Sequence, residues 1–134
     1  KAKEFLRKNN LKNKVIFLGK TSEVDEILCS SDLFLLPSEK ESFGLAALEA
    51  MALKVPVIST NTGGLKDLNI NGNSGYTSDI GDIDSMAKNA IKILSDDSLK
   101  KKYRIQAFEN AKKYDIKTVI PLYEKIYDQA LNMS

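Results

Sequence analysis

The 134 residues are 43% hydrophobic and 28% charged, with 20 basic against 18 acidic side chains and a formal charge of +2; one domain of this size buries about two thirds of its unfolded surface, and nothing in its charge balance draws nucleic acid or a membrane surface. The absence of histidine removes His-based triads, His general bases and His metal ligands, and with a single cysteine a zinc site is disfavoured. That cysteine, Cys29, has no internal disulfide partner, which fits a reducing compartment and a cytoplasmic location; no run approaches the roughly 20 apolar residues of a membrane span, and the first residues lack a signal-peptide pattern.

In chain order, residues 2–11 read as a helix carrying Phe5 and Leu6 inward, followed by a short buried strand, Val15 to Leu18, closed by Gly19. Thr21 or Ser22 caps a helix to about Ser30, with Asp25 three after Ser22 in a capping-box relation. Cys29, following Val24, Ile27 and Leu28, reads as core packing. Leu33 to Leu36 is the next strand, and GLAALEAMAL over 44–53 is a helix of good formers. Val55 to Ser59 is a third strand, with Pro56 tolerable only at its start. A loop at Asn61 to Gly64, a short helix to about Ile70, a turn over 71–75 and a minimal strand at Tyr76 and Thr77 come next. Asp82 caps an amphipathic helix whose Ile83, Met86, Ala87, Ala90, Ile91 and Leu94 recur at helical spacing. The rest is helical, over 98–113 and 116–131, with Asp115 as a cap and Pro121 as a kink. The basic residues at 100–104 and 112–113 form a solvated helix face. Short apolar strands alternating with helices predict an α/β fold, a parallel sheet flanked by helices on both faces, and such sheets bind ligands outside the carboxyl ends of their strands. The loops 37–44 and 60–64 both lie at such ends.

One charge in this pattern needs an account. Glu49 has Leu45, Ala46, Ala52 and Leu53 one turn away, so no local cation offsets it, and burying an unpaired carboxylate is costly. It therefore calls for a donor from elsewhere in the fold or from a ligand. Ser42, Phe43 and Gly44 lie at the start of the same helix, where unpaired N–H groups and the dipole favour phosphate, and Gly44 lets an anion approach closely. Together with Glu41 they make a cradle for a nucleotide-sugar. From spacing alone a second reading stays open: Ser42 as an N-cap, Glu41 as a loop acid, Glu49 as the edge of a helix with small neighbours.

The segment Pro37-Ser38-Glu39-Lys40-Glu41-Ser42-Phe43-Gly44-Leu45, with Glu49-Ala50-Met51-Ala52, resembles the E-x7-E signature of retaining glycosyltransferases of family 4, which have two Rossmann-like domains in the GT-B architecture. The likeness extends through Phe17-Leu18-Gly19, Ser31-Asp32, Val55-Pro56-Val57-Ile58, Gly63-Gly64, Gly75-Tyr76 and Gly81-Asp82. It implies a UDP-sugar donor, UDP-N-acetylglucosamine for the subfamily pattern, with Glu41 as the catalytic-site carboxylate on the donor sugar. Ser42, Phe43, Gly44 and Leu45 would face sugar and pyrophosphate, and Glu49 the ribose hydroxyls. No metal or other cofactor is implied.

The resemblance also implies that residues 1–134 form a single partial donor-binding domain, ending in helices over 98–131. The family's first two strands, its diphosphate-binding Arg and Lys, and its N-terminal acceptor domain would lie upstream of Lys1, so the chain is expected not to transfer sugar alone. Those two strands sit centrally in the family's sheet, and we expect Val15–Leu18 and Leu33–Leu36 to close up and pair directly. The alternative is a non-catalytic or engineered scaffold, associating with itself or another chain through an exposed sheet edge. Two departures bear on the ligand loops: Lys54 stands where the family has a Gly in a left-handed cap, and Lys66-Asp67 stands where Pro-Glu is usual.

Overall fold

A computed structural model describes residues 1–132. Its centre is a three-stranded parallel sheet in the order β1 (Phe34–Leu36), β2 (Val57–Thr60), β3 (Gly75–Ser78). The register sets Phe34 opposite Val57 and Leu36 opposite Ser59, then Val57 opposite Gly75 and Thr60 opposite Ser78. β2 is central and buried at all four positions, as a strand covered on both faces must be. Pro56 precedes it, where its missing N–H costs no ladder bond; its carbonyl accepts from the Phe34 N–H at 2.9 Å.

Alternation along β2 divides the core into two layers. Val57 points to the layer made by α3 (Leu45–Ala52), α4 (Leu65–Leu68) and the C-terminal half of α6 (Asp97–Ala111), where Met51, Leu65, Leu68 and Ala107 are fully buried. Ile58 points to the opposite layer, with Ile93 of α5 (Ile83–Leu94) and Tyr103 of α6. One helix thus serves both faces, which is why α6 reads in sequence without a single clean apolar stripe.

Asn69 ties the layers to the sheet. It is fully buried, and its side-chain amide donates to the carbonyls of Val57 and Tyr76, each at 3.1 Å, and to Ser59 Oγ at 3.0 Å, while Oδ1 accepts from Ser74 Oγ. A buried carboxamide is tolerated here because both its amide nitrogen and its oxygen find partners. Asn110 similarly donates to the Leu68 carbonyl, closing the end of α4 against α6.

The helix starts follow side-chain chemistry at three places. Asp82 Oδ1 accepts from the Ser85 N–H at 3.0 Å, Asp96 Oδ1 from Leu99 at 2.9 Å and Asp115 Oδ1 from Lys117 at 2.8 Å. No capping box forms at α2 (Val24–Cys29); Glu23 holds its N-cap position without a side-chain bond, and Thr21 Oγ1 accepts from the Glu23 N–H instead. Lys54 is left-handed at φ 62°, as the family's Gly position requires, and its ammonium lies 5.1 Å from the Phe108 ring. Lys100 bridges Asp32 at 3.3 Å and Arg104 donates to the Ser31 carbonyl, so part of the basic face pins the loop before β1 rather than being only solvated.

The N-terminal region departs most from expectation. Val15 to Leu18 form no strand and do not pair with β1; Ile16 is 82% exposed, and Phe17 and Leu18 are open as well. The direct pairing expected from sequence is corrected: an apolar run needs an adjacent hydrogen-bonding edge to become a strand, and here it lies beside α1 (Ala2–Lys8), with Lys3 over the Phe17 ring. Cys29 is exposed and not core, since only Leu28 of α2 is buried. On α5 the inward residues are Met86, Ala90 and Ile93, while Ile83, Ile91 and Leu94 face outward. The last helix, α7 (Ile116–Asn132), contains Pro121 and buries no residue.

Candidate functional site

The loop after β1 is held by the loop after β2. Thr60 Oγ1 donates to the Ser38 carbonyl, Thr62 Oγ1 to the Glu39 carbonyl at 3.4 Å, and the Gly64 N–H to the Ser42 carbonyl at 3.0 Å. Gly63, at φ 49°, lies so close that a Cβ there would fall 1.6 Å from the Glu41 carbonyl oxygen. Three hydrogen bonds and the close approach of Gly63 therefore fix Ser38 to Ser42 before α3 begins. The two strand-end loops named from sequence meet, and the second is the clamp on the first.

Gly44 opens α3 at φ 95° without a side-chain cap. It is buried, and a Cβ on it would approach Leu65 Cδ2 to 2.5 Å. Its need for glycine thus comes from backbone conformation and from Leu65 packing. Ser42 is exposed and is not the cap. Phe43, half-buried, meets Tyr114 edge to face with ring centroids 5.5 Å apart, and the Tyr114 hydroxyl donates to the Asp67 carbonyl at 3.3 Å. An aromatic pair of this geometry contributes about 0.5–1.5 kcal/mol beyond its buried area, and it links the signature loop to the end of α6.

Along α3, Ala47, Ala50 and Met51 face the core while Leu45, Ala46, Glu49 and Ala52 face solvent. Glu49 is therefore not a buried charge. The apolar residues around it belong to an open face, and water relieves the desolvation that the sequence suggested. Leu45, 64% exposed, lies one turn before Glu49 on this face. Glu41, half-buried in the preceding loop, and Glu49 have no ion-pair partner within 4 Å among the described residues. The site thus presents two uncommitted carboxylates, a helix start with unpaired N–H groups and an exposed leucine.

Sequence reasoning missed the parts that hold this arrangement. Asn69 stands between Leu68 and Ile70, and that lone amide in an apolar stretch was the available clue to a buried hub. Thr60 and Thr62 showed only a strand end, and nothing in the sequence joins Tyr114 to Phe43.

These elements define an α/β domain, a parallel sheet flanked by helices, whose candidate ligand loops gather at the carboxyl ends of adjacent parallel strands. Residues 1–114 match the family model of glycosyl transferases group 1, and the chain belongs to that family. It is 39% identical over 129 residues to N-acetyl-alpha-D-glucosaminyl L-malate synthase of Bacillus anthracis, covering 96% of this chain and 34% of that protein. Sucrose-phosphate synthase of Thermosynechococcus elongatus shares the fold at a TM-score of 0.86 and 24% identity, over 99% of this chain and 34% of that one. A TarM mutant of S. aureus, solved with Fondaparinux, alpha-GlcNAc-glycerol and UDP, matches at a TM-score of 0.77 and 25% identity, over 96% of this chain and 25% of its own. The chain spans about a third of the length of the curated relatives it matches. Among the described residues no helix is long and apolar enough to cross a membrane.

Proposed function

We propose that this chain is the donor-binding part of a retaining glycosyltransferase, taking a UDP-sugar, with UDP-N-acetylglucosamine as the donor. The observation that carries the reading is the clamp of Gly63 and Gly64 on Glu41 to Phe43, which fixes a loop whose nearby carboxylates remain unspent on protein partners. Glu49 accepts from the ribose hydroxyls and Glu41 from hydroxyls of the transferred sugar. Ser42 to Leu45 meet the sugar and pyrophosphate, the helix start supplying N–H groups toward developing charge on the leaving diphosphate. Hydrogen bonds to each carboxylate contribute about 1.5–3 kcal/mol. The name of the Bacillus anthracis relative and the UDP in the TarM complex support the choice of donor.

Basic groups for the diphosphate and an acceptor-binding domain come from outside these residues in this reading, so the chain binds donor without turning it over. Calorimetric titration with UDP and UDP-N-acetylglucosamine tests it. Saturable binding that weakens about tenfold or more in Glu49→Gln is expected; a folded chain that binds neither ligand at millimolar concentration overturns the reading. Equal affinity in the variant removes the ribose assignment.

A second reading, an association module, draws on the outer edge of β1 and the exposed Ile16 and Phe17, since open edges and apolar segments invite pairing. Solution mass decides it: a monomer across a wide concentration range argues against this role.

A further inference from the structure

A second cleft lies at the other edge of the sheet and shares no residue with the signature loop. Its volume is about 470 Å³, within the range of about 300–1,000 Å³ typical of small-molecule clefts. β3 forms one wall. Tyr76 and Ser78 alternate with Thr77 along that strand, and the Tyr76 ring packs on Tyr103 in the layer shared with α5. Ser78 therefore faces the α5 side. Asp82, Ser85 and Asn89, spaced three and four apart, form the opposite wall from one helix face.

Part of the hydrogen-bonding capacity of this cleft is unspent, although Asn71 Oδ1 accepts from the Thr77 N–H at 3.0 Å. Ser78 is 7% exposed, and its hydroxyl is buried with no hydrogen-bond partner among the described residues. A buried hydroxyl left so costs about 1–3 kcal/mol, and it is an exception that calls for a partner. The side chains of Asn61, Asp79 and Asn89 line the same space without a protein partner among the described residues. Asp82 accepts from the backbone N–H and the side chain of Ser85.

The composition selects the ligand class. Two carboxylates repel an anion. No group of three or more metal-ligating His, Cys, Asp or Glu side chains gathers here among the described residues, and a mostly polar wall offers an apolar ligand little. Carboxamides and hydroxyls that both donate and accept, with carboxylates that only accept, match a ligand dense in hydroxyl groups. We propose that the cleft between β3 and the start of α5 is a carbohydrate-binding site, separate from the donor site, taking a mono- or disaccharide with Ser78 at its inner wall. The proposal does not depend on the UDP-sugar reading.

The test is an amide NMR titration of the full chain with glucose and maltose, beside calcium chloride and sodium phosphate. Saturable shifts at Asn61, Ser78, Ser85 and Asn89 with either sugar are expected, leaving 41–49 unmoved. Asn89→Ala and Ser85→Ala each weaken sugar binding about fivefold or more. Ser78→Ala guards against a folding artefact: removing an unsatisfied hydroxyl raises the melting temperature of the sugar-free chain and weakens sugar binding at the same time. No saturation by about 100 mM sugar, beyond the weak end of specific affinity, overturns the site. So do saturation confined to other residues, a response to calcium or phosphate alone, and sugar affinity unchanged in all three variants.

Discussion

Residues 15–18 and 57–60 are both short apolar or β-branched runs, VIFL and VIST, yet they end in opposite states. Val57 to Thr60 are buried between two hydrogen-bonded neighbours, whereas Val15 to Leu18 form no strand and stay exposed. Local propensity is at least as strong in the first run. The difference lies in what stands beside each: β2 has an edge on either side and helices over both faces, and residues 15–18 have α1. Strand formation in this chain is decided by whether the run is set against a pairing edge, not by the run itself: the outer edge of β1 is open, yet residues 15–18 do not lie along it.

A pair of isoleucine truncations breaks or sharpens this contrast most strongly. Ile58→Ala, at a fully buried position between Ile93 and Tyr103, is expected to cost about 2–5 kcal/mol. Ile16→Ala, at 82% exposure, is expected to change stability by no more than about 0.5 kcal/mol. Urea unfolding of both variants measures the gap. A comparable loss at Ile16 would mean that residues 15–18 are packed in solution, through another part of the chain or a second copy.

The same contrast explains what the sequence could disclose. Period and breakers placed β1, β2 and β3 within a few residues, because each has flanking turns and a helix that returns the chain to the sheet. Asp82 and Asp115 were legible as caps because capping depends on local chemistry. At the candidate site, Glu41, Gly44 and Glu49 stood out by residue type, but the exposure of Glu49 did not. An apolar helix looks the same in sequence whether its second face meets protein or water. The clamp was invisible for a different reason: Thr60, Gly63 and Gly64 act on backbone carbonyls of Ser38 to Ser42, and carbonyls leave no mark in a sequence.

Gly63→Ala tests that clamp. The added methyl meets the Glu41 carbonyl oxygen and must adopt a left-handed conformation, so backbone has to move; a loss of about 2–4 kcal/mol is expected. Hydrogen exchange should show faster opening in 38–44 and 60–65 with little change at Ile93 and Tyr103. Uniform loosening across the chain would instead mean that the loop pair is part of the global fold and not a separately held unit.

Acid pH reports on the start of α5. The hydrogen bonds from Ser85 hold the Asp82 carboxyl below its usual value of 3.8. With the folded value depressed, this cap stabilises the protein above the unfolded value and loses that contribution as pH falls through the folded one. The acid side of the stability profile should therefore flatten in Asp82→Ala, with the neutral side keeping its shape. An identical acid slope in the variant would show that the carboxylate is not coupled to folding.

The smallest effect belongs to Lys54, where two terms of similar size oppose. A left-handed non-glycine residue costs about 1–2 kcal/mol, so Lys54→Gly gains that amount in the folded state. Against it stand the extra freedom of glycine in the unfolded chain, about 0.4–1 kcal/mol, and the loss of the ammonium 5.1 Å from Phe108, worth about 0.5–1 kcal/mol at a surface. Lys112 lies over the same ring at 4.7 Å, so Phe108 keeps a cation after the change. The net lies within about 1 kcal/mol of zero, and it should become less favourable in a Lys112→Ala background if the two lysines repel one another across the ring. A clear loss of stability in Lys54→Gly would place more weight on the Lys54–Phe108 contact than an exposed cation–π pair carries.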